Sequence, residues 1–157
     1  EHSREVRRLH QRLFYRPLLS AVAKLSPDEA RLTFLAARRW HGWSAGRITN
    51  IDIGGGSLEM STGTEETPDL AVSLDLGAGR LTHQWFDTDP PERKKINMLR
   101  DYIDAELAGP AEQFKAMGET GLAVGTSKTF RSLARLTGAR GLDGGIECKQ
   151  LVWLAYR

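Results

Sequence analysis

The middle of the chain contains the run Ile51-Asp52-Ile53-Gly54-Gly55-Gly56-Ser57-Leu58-Glu59-Met60. An acid between two isoleucines leads into three glycines and a serine, which predicts a strand, a tight turn and a returning strand. Successive backbone N–H groups in such a turn form an anion-binding concavity, and glycine lets a phosphate approach the backbone closely. A plain hairpin turn uses the same glycines. The run therefore leaves both a phosphate site and an ordinary turn open.

Acidic and hydroxyl side chains near this turn suit phosphoryl transfer, in which a protein mainly positions groups and neutralises charge. We expect Asp52 to bind Mg²⁺ directly or through water, and Glu29 to orient or deprotonate an attacking water. Phosphate oxygens would be held by the turn residues Gly54, Gly55, Gly56 and Ser57. The alternatives are structural, because Glu29 occupies the capping-box position of a helix start and Asp52 is a residue type that caps turns.

The composition is that of a globular chain forming one domain or part of a larger one. Its 157 residues are 40% hydrophobic and 27% charged. No apolar run approaches the roughly 18 residues that a membrane-spanning helix needs, so no membrane partner is expected. Cys148 is the only cysteine, which excludes a disulfide framework and favours the cytoplasm. The histidines lack metal-ligand spacing, which argues against a structural zinc site.

Charge is distributed unevenly along the chain. Residues 1–47 hold 10 Lys/Arg against 4 Asp/Glu, whereas residues 48–78 hold 6 Asp/Glu and neither Lys nor Arg. Because an acidic segment repels a bare anion, the turn suits a phosphate that is bound together with a divalent cation. The basic first third suits either a polyanion or a solvated helix face, and no specific nucleic-acid partner is expected.

Helix and strand signals surround the turn. Ser26-Pro27-Asp28-Glu29 predicts the start of a helix that ends near Gly42, with Ser26 as its N-cap. Strands would then form an antiparallel meander at residues 47–53, 58–61 and 70–76. A short helix opened by Gly77-Ala78-Gly79 would follow the meander. This order differs from the strand–helix alternation of a dinucleotide-binding unit.

Two further helices are predicted towards the end of the chain. The first would be capped by Asp89 and ended by Gly109-Pro110. The second follows a buried strand at 121–124 and would direct four apolar side chains inward, namely Phe130, Leu133, Ala134 and Leu136. Gly125, Thr126 and Ser127 lie at its start, where they suit either an anion or ordinary helix capping. Packed positions are expected for the tryptophans Trp40, Trp43, Trp85 and Trp153.

Six motifs occur in order along the chain: Ala30-Arg31-Leu32-Thr33-Phe34-Leu35-Ala36, Trp43-Ser44-Ala45-Gly46-Arg47, Asp52-Ile53-Gly54-Gly55-Gly56-Ser57-Leu58-Glu59, Leu76-Gly77-Ala78-Gly79-Arg80-Leu81-Thr82, Asp89-Pro90-Pro91 and Thr126-Ser127-Lys128-Thr129-Phe130-Arg131-Ser132-Leu133-Ala134-Arg135. In this order they resemble the exopolyphosphatase/guanosine pentaphosphate phosphohydrolase (Ppx/GppA) family, and their sequences are most similar to those of actinobacterial members. The resemblance covers about residues 28–139. Several ordered motifs together are more specific than the glycines alone.

The resemblance implies part of the actin-like, ribonuclease-H-like ATPase fold, an α/β architecture with a mixed sheet. It also implies hydrolysis of terminal phosphate from inorganic polyphosphate or guanosine pentaphosphate with Mg²⁺, and a homodimer is one expected assembly. By position, Glu29 matches the family's proposed general base and Asp52 matches the acid that opens its second phosphate motif. Phosphate-contacting positions of that motif match Gly54 and Ser57, and a later turn near the cleft matches Gly125 and Thr126.

The sequence departs from the family pattern at several points. The family has an earlier subdomain with its own Asp-x-Gly-Ser-type phosphate motif, and the residues before Glu29 carry no such motif. Thr49 and Asn50 place polar groups in a strand that is expected to be apolar, and Asp75 stands where a proline is usual.

We divide the chain into three segments. Residues 1–25 are predicted to be helical, and residues 4–25 resemble a short piece of glutamine synthetase adenylyltransferase. Residues 26–140 would form a partial Ppx/GppA phosphatase domain, and residues 141–157 are an unassigned tail. We therefore expect a phosphohydrolase that is impaired because the first phosphate-binding subdomain is missing. The alternatives are a phosphate- or polyphosphate-binding module without turnover and a chimeric fragment without function.

Overall fold

The structure is a computed structural model and describes residues 26–136. The predicted helices within residues 1–25, the helix end at Gly138 and the position of Trp153 lie outside this range. The elements follow in the order α1 (Ser26–His41), a 3₁₀ turn (Trp43–Ala45), β1 (Ile48–Ile53), β2 (Leu58–Gly63), β3 (Leu70–Leu74), α2 (Ala78–Trp85), α3 (Arg93–Ala116), β4 (Leu122–Thr126) and α4 (Ser127–Leu136). No helix in this range is long and apolar enough to cross a membrane.

The four strands form one mixed sheet in the order β3-β2-β1-β4. β1, β2 and β3 are successive antiparallel neighbours, so the predicted meander is confirmed. β4 pairs with β1 in parallel, from Ile48 opposite Leu122 to Asp52 opposite Thr126. Parallel strands end at the same edge of a sheet, so the glycine turn after β1 and the start of α4 lie next to each other.

Helix α1 packs on one face of the sheet. Its Ala30, Phe34 and Ala37 are buried, and the Phe34 ring lies against Gly63 at the end of β2. Arg38 is also fully buried, and its guanidinium donates to three backbone carbonyls, those of Gly42 (3.1 Å), Gly46 (2.7 Å) and Gly63 (2.8 Å). These bonds fix the end of α1 to the strand ends beneath it.

The opposite face of the sheet carries the other apolar cluster, which lies under α2 and α3. Leu58, Leu76 and Leu81 are buried at its centre, and nine half-buried side chains pack around them, namely Ile51, Ile53, Met60, Leu74, Trp85, Leu99, Tyr102, Ile103 and Leu107. The Trp85 and Tyr102 ring centroids lie 5.3 Å apart. The packing prediction is thus confirmed for Trp85, but it is wrong for Trp40 and Trp43, which are 71% and 55% exposed.

Helix α3 continues through Gly109-Pro110, so the predicted end at these residues is wrong. The half-buried face that includes Leu107 continues through Pro110 and Phe114, and this packing outweighs the local cost of a proline in a helix. The helix ends at Gly118, which has a φ of +91° and donates its N–H to the Lys115 carbonyl at 3.2 Å. A glycine in the left-handed region just beyond the last turn is a common helix terminator.

The predicted Asp89 cap of α3 is also wrong, because the cap residue is Glu92 and it makes no side-chain capping bond. Asp89 and Pro90 each precede a proline, and a residue before proline disfavours helical backbone. The helix therefore begins three residues later than the acidic signal suggests.

The last strand and helix agree in position with the prediction but differ in burial. β4 alternates between half-buried and exposed residues rather than being buried, because it is an edge strand of the described sheet. In α4, Phe130 is buried and Leu133 and Ala134 are half-buried, as predicted. Leu136 is 73% exposed, so its predicted inward position is wrong.

Candidate active site

Four polar side chains form one row across the sheet beside the glycine turn. The strand registers place Ser73 opposite Glu59, Glu59 opposite Asp52, and Asp52 opposite Thr126. Side chains of directly paired residues share a face of the sheet, so the two carboxylates stand side by side. Ser73 Oγ donates to Glu59 Oε1 at 3.2 Å, and Thr126 Oγ1 donates to Asp52 Oδ2 at 2.7 Å. A hydroxyl thus orients each carboxylate from its outer side.

Glu59 is the most buried acid of this row, with 2% of its surface exposed. Burial raises the pKa of its carboxyl, and the negative charges of Glu29 and Asp52 raise it further, against hydrogen bonds from Ser57 and Ser73 that lower it. A buried carboxylate that is close to two other acids favours either a proton or a cation at this place. Motif reasoning gives Glu59 no role. A charged residue between Leu58 and Met60 is unusual in a strand, but only its pairing with Asp52 gives it a role in the site.

Glu29 lies in the first turn of α1, on the helix that covers this face of the sheet, and its side chain is exposed. The Thr33 hydroxyl donates to its backbone carbonyl at 2.9 Å, which is a contact within the helix. Burial is the main cause of the raised pKa of Glu59, and the charge of Glu29 makes a smaller contribution in the same direction. The structure therefore pairs two acids, one from β1 and one from β2, and Glu29 lies at the start of the helix that covers the same face.

The glycine turn is closed by Gly54 N–H, which donates to the Ser57 carbonyl at 2.9 Å. Its other carbonyls are bound from the start of α2. Gly54 O accepts from Ala78 N–H at 3.0 Å, Gly55 O from Arg80 N–H at 2.8 Å, and Gly56 O from Arg80 Nε at 2.7 Å. The turn is thus held by backbone and arginine donors behind it rather than by its own side chains.

A cavity of about 420 Å³ lies beside the turn, between β1, α2 and α4. Its lining combines glycine backbone with hydroxyls and one cation: Ile53, Gly54, Gly55, Ala78, Gly79, Ser127, Lys128, Thr129 and Ser132. Glu29, Asp52 and Glu59 are not part of this lining. The cavity, with its hydroxyls and a lysine, is therefore distinct from the acidic row.

Gly125 and Thr126, the two predicted phosphate contacts from the later turn, have other neighbours in the structure. A Cβ atom on Gly125 would lie 2.5 Å from Phe130 Cδ1, so this glycine permits the packing of α4. The Thr126 hydroxyl is engaged with the Asp52 carboxylate. The structure thus gives Gly125 a packing role and Thr126 an orienting role, and their contact with phosphate stays a prediction.

The donors at this site suit Mg²⁺, the metal that the family resemblance implies. Within residues 26–136, no three His, Cys, Asp or Glu side chains lie close enough together to hold a metal ion by themselves. Mg²⁺ is usually held by only one or two carboxylates, with waters and substrate phosphates completing its coordination. Asp52 and Glu59 offer two such carboxylates next to a phosphate-sized turn, so the donor set fits.

Comparison with known proteins identifies the family. The sequence model of the Ppx/GppA phosphatase family matches residues 25–154. The chain belongs to this family. The match reaches beyond residue 139, where the motif resemblance ends.

Related sequences are exopolyphosphatases of mycobacteria. Exopolyphosphatase 1 of Mycobacterium tuberculosis is 66% identical over 123 residues, which are 78% of this chain and 36% of that protein. Exopolyphosphatase 1 of Mycobacterium leprae is 59% identical over the same length. The chain thus spans about a third of the length of the curated relatives it matches. A 37-residue stretch is 68% identical to the bifunctional glutamine synthetase adenylyltransferase/adenylyl-removing enzyme of Streptomyces coelicolor and covers 4% of that enzyme.

Solved structures of Ppx/GppA proteins share the fold. The crystal structure of the Aquifex aeolicus Ppx/GppA phosphatase (type II variant) superposes with a TM-score of 0.56 at 27% identity, over 70% of this chain and 34% of that one. An exopolyphosphatase from Cytophaga hutchinsonii gives a TM-score of 0.50 at 28% identity, over 59% of this chain and 29% of that one. The predicted α/β class and partial actin-like ATPase fold are confirmed.

Proposed function

We propose that this Ppx/GppA chain carries the second phosphate-binding motif and the acidic groups of a phosphohydrolase that releases terminal phosphate from inorganic polyphosphate or guanosine pentaphosphate. The observation that carries the proposal is the pairing of Asp52 with Glu59 beside the glycine turn, with Glu29 above them on α1. The mycobacterial relatives are named exopolyphosphatases, which favours polyphosphate over the guanosine nucleotide.

Each residue has a defined task in the proposed reaction. The Glu29 carboxylate accepts a proton from water while the water oxygen attacks the terminal phosphorus. The bond from that phosphorus to the bridging oxygen breaks, and the shortened phosphate chain leaves with the bond's electrons and takes up a proton. The backbone N–H groups of Gly55, Gly56 and Ser57 hold the terminal phosphate, whereas the Gly54 N–H closes the turn. This keeps the attacking water and the leaving oxygen in line.

Asp52 and Glu59 would hold Mg²⁺ in this reaction. When bound there, the ion supplies neutralisation of the charge on the phosphate oxygens. Thr126 and Ser73 orient the two carboxylates through the hydrogen bonds described above. Such outer partners commonly determine how well a carboxylate binds its metal.

Release of orthophosphate from long-chain polyphosphate in Mg²⁺ tests this function. We expect Glu29→Gln, Asp52→Asn and Glu59→Gln each to lower the rate by roughly 100-fold or more, in the range reported for loss of a catalytic acid or base. Glu66→Gln is the matched control, because Glu66 is exposed in the loop between β2 and β3 and pairs only with Arg39 in the described structure. Equal rates in all four variants would contradict the site assignment. Comparing kcat/KM for polyphosphate and guanosine pentaphosphate decides between the substrates.

A second candidate function is polyphosphate binding without turnover. It is favoured by the glycine turn itself, because backbone N–H groups can hold a phosphate without a group that activates water. Calorimetry with tripolyphosphate and Mg²⁺ measures binding, and an orthophosphate assay on the same sample measures turnover. Binding without orthophosphate release supports this candidate, whereas turnover that depends on Glu29 excludes it.

Assembly and cellular location extend the proposal. We propose a cytoplasmic protein that forms a homodimer, acts on a soluble phosphate substrate, and binds no membrane and no specific nucleic acid. Light scattering coupled to size-exclusion chromatography measures the mass of the assembly, and a monomer mass would contradict the homodimer.

A further inference from the structure

We infer that Arg80 is a positioning residue of the glycine turn: together with Ala78 it holds the turn's carbonyls on one side, so that the N–H groups of Gly55, Gly56 and Ser57 point to the other side. This inference rests on the proposed function, since an anion is what those N–H groups would bind. Arg80 belongs to the Leu76–Thr82 motif, to which the sequence reasoning gives no chemical role.

The argument begins with peptide geometry. A trans peptide unit is planar, and its C=O and N–H point in opposite directions. The cis peptide bond recorded in the described residues is Asp89-Pro90, so the units of the turn are trans. The carbonyls of Gly54, Gly55 and Gly56 all accept bonds from the start of α2. The N–H groups of the next residues therefore face away from α2, and none of them is used in the bonds that close the turn.

Close approach of the two segments makes this arrangement stiff. A Cβ atom on Gly77 would lie 2.3 Å from Gly56 C and Ser57 N, and one on Gly79 would lie 3.1 Å from Gly55 O. These distances leave no room for a side chain between the start of α2 and the turn. The turn thus rests directly on backbone, and its peptide units are held against rotation.

Arginine suits this position better than lysine because it uses two separate donors. Arg80 Nε donates to Gly56 O at 2.7 Å, and Arg80 Nη2 pairs with Asp75 Oδ1 at 3.1 Å. A guanidinium presents such donors in a rigid planar fork, whereas an ammonium is a single compact charge. Asp75, which replaces the family's usual proline, holds the outer end of this fork. Arg80 is three-quarters buried, and Asp75 is two-thirds exposed.

Amide NMR of the full chain during titration with tripolyphosphate in Mg²⁺ tests the inference. In the unmodified chain we expect the amide resonances of Gly55, Gly56 and Ser57 to shift. Arg80→Gln removes the bond from Nε, and we expect tripolyphosphate to bind at least tenfold more weakly with much smaller shifts at these amides. Arg80→Lys keeps a cation and part of the packing, and we expect its affinity for tripolyphosphate to fall severalfold. This variant therefore separates positioning from simple unfolding.

Arg39→Gln is the matched control, because it removes an exposed arginine whose ion-pair partner is the exposed Glu66 and which makes no contact with the glycine turn in the described structure. We expect its tripolyphosphate affinity to change by less than twofold. If Arg80→Gln or Arg80→Lys binds as tightly as the unmodified chain with the same amide shifts, the inference is wrong and the proposed function stands. If the three amides of the unmodified chain do not respond to tripolyphosphate, the inference and the phosphate role of the turn are both wrong.

Discussion

Glu59 lies directly opposite Asp52 in the antiparallel β1–β2 ladder, so two carboxylates share one face of the sheet at the edge where the glycine turn begins. Like charges in directly opposite positions destabilise a sheet. The arrangement is therefore a local cost to the fold that a cation or a proton offsets. This cost is the physical reason for regarding the pair as a ligand site rather than as a feature of folding.

The raised pKa of Glu59 gives a prediction about stability and pH. A carboxyl whose pKa is raised in the folded state favours folding when protonated, and this contribution is lost as the pH rises from the ordinary value of 4.5 through the raised value. In metal-free protein, we expect Glu59→Gln to gain stability relative to the unmodified chain as the pH increases from 4 to about 8. Urea denaturation at several pH values measures this difference. A constant difference across the range would show that Glu59 does not titrate abnormally.

Removal of the hydroxyl that orients Asp52 should weaken metal binding. Thr126→Val keeps the shape of the side chain but loses the 2.7 Å bond to Asp52 Oδ2, whereas Thr126→Ser keeps that bond. We expect the valine variant to need roughly tenfold more Mg²⁺ for tripolyphosphate binding, the size of effect that follows loss of a hydrogen bond to a metal-binding carboxylate. Calorimetry at a series of Mg²⁺ concentrations measures the requirement. If both variants need the same Mg²⁺ concentration for tripolyphosphate binding, Thr126 does not orient Asp52.

A methyl group at Gly77 should disrupt the contact between α2 and the glycine turn. The added Cβ would lie 2.3 Å from backbone atoms of Gly56 and Ser57, and backbone cannot move aside as a flexible side chain does. We expect Gly77→Ala to lower the free energy of unfolding by about 3 kcal/mol or more, at the upper end of overpacking effects. Gly55→Ala is the control, because nothing lies within 4 Å of its added Cβ. Urea denaturation compares the two, and equal midpoints would contradict the close packing.

Arg38 should stabilise the fold more than its exposed neighbour does. Arg38→Met leaves the carbonyls of Gly42, Gly46 and Gly63 without their guanidinium donors, and we expect a loss of about 3 kcal/mol. Arg39→Met serves as the control, because Arg39 is exposed and its partner is the exposed Glu66. We expect its melting temperature to stay unchanged within error, since exposed ion pairs contribute little. Similar melting temperatures for the two variants would contradict a structural role for the buried guanidinium.

Two glycines of the α3 region should respond oppositely to alanine. Gly109 lies inside the helix with open space around its added Cβ, so Gly109→Ala should stabilise the protein by about 0.5–1 kcal/mol. Gly118 has a φ of +91°, so Gly118→Ala should destabilise it by about 1 kcal/mol. Thermal denaturation measures both effects. Stabilisation by both substitutions would mean that the helix does not end at Gly118.

Local signals predict most of the fold correctly. The apolar alternation around Gly54–Gly56 predicts β1 and β2, because this signal lies within a few residues of the strands it describes. The predicted N-cap at Ser26 lies at the limit of the described residues and stays a prediction. The predicted end of α3 at Gly109-Pro110 is wrong because side-chain packing at Pro110 and Phe114 outweighs the helix-breaking effect of the proline. A contact that depends on residues distant in sequence is not visible in such a window.

The candidate site shows the same division between local and distant signals. Asp52 and the turn can be found from their motif, and Glu29 from the family resemblance. Glu59 needs the strand register, because its significance comes from its position opposite Asp52 rather than from its neighbours in sequence. The role of Arg80 can likewise be inferred only from the structure, because its hydrogen bond to Gly56 O joins residues 24 positions apart in sequence.

The parallel pairing of β1 with β4 joins parts of the site that are far apart in sequence. The meander joins neighbouring segments and closes short loops, whereas the bond between Thr126 and Asp52 spans 74 residues and closes a long one. Long-range pairing carries the larger entropic cost and forms late. A molecule that has folded only its meander presents the glycine turn without the hydroxyl that fixes Asp52. The orientation of Asp52 by Thr126 therefore depends on completion of the sheet.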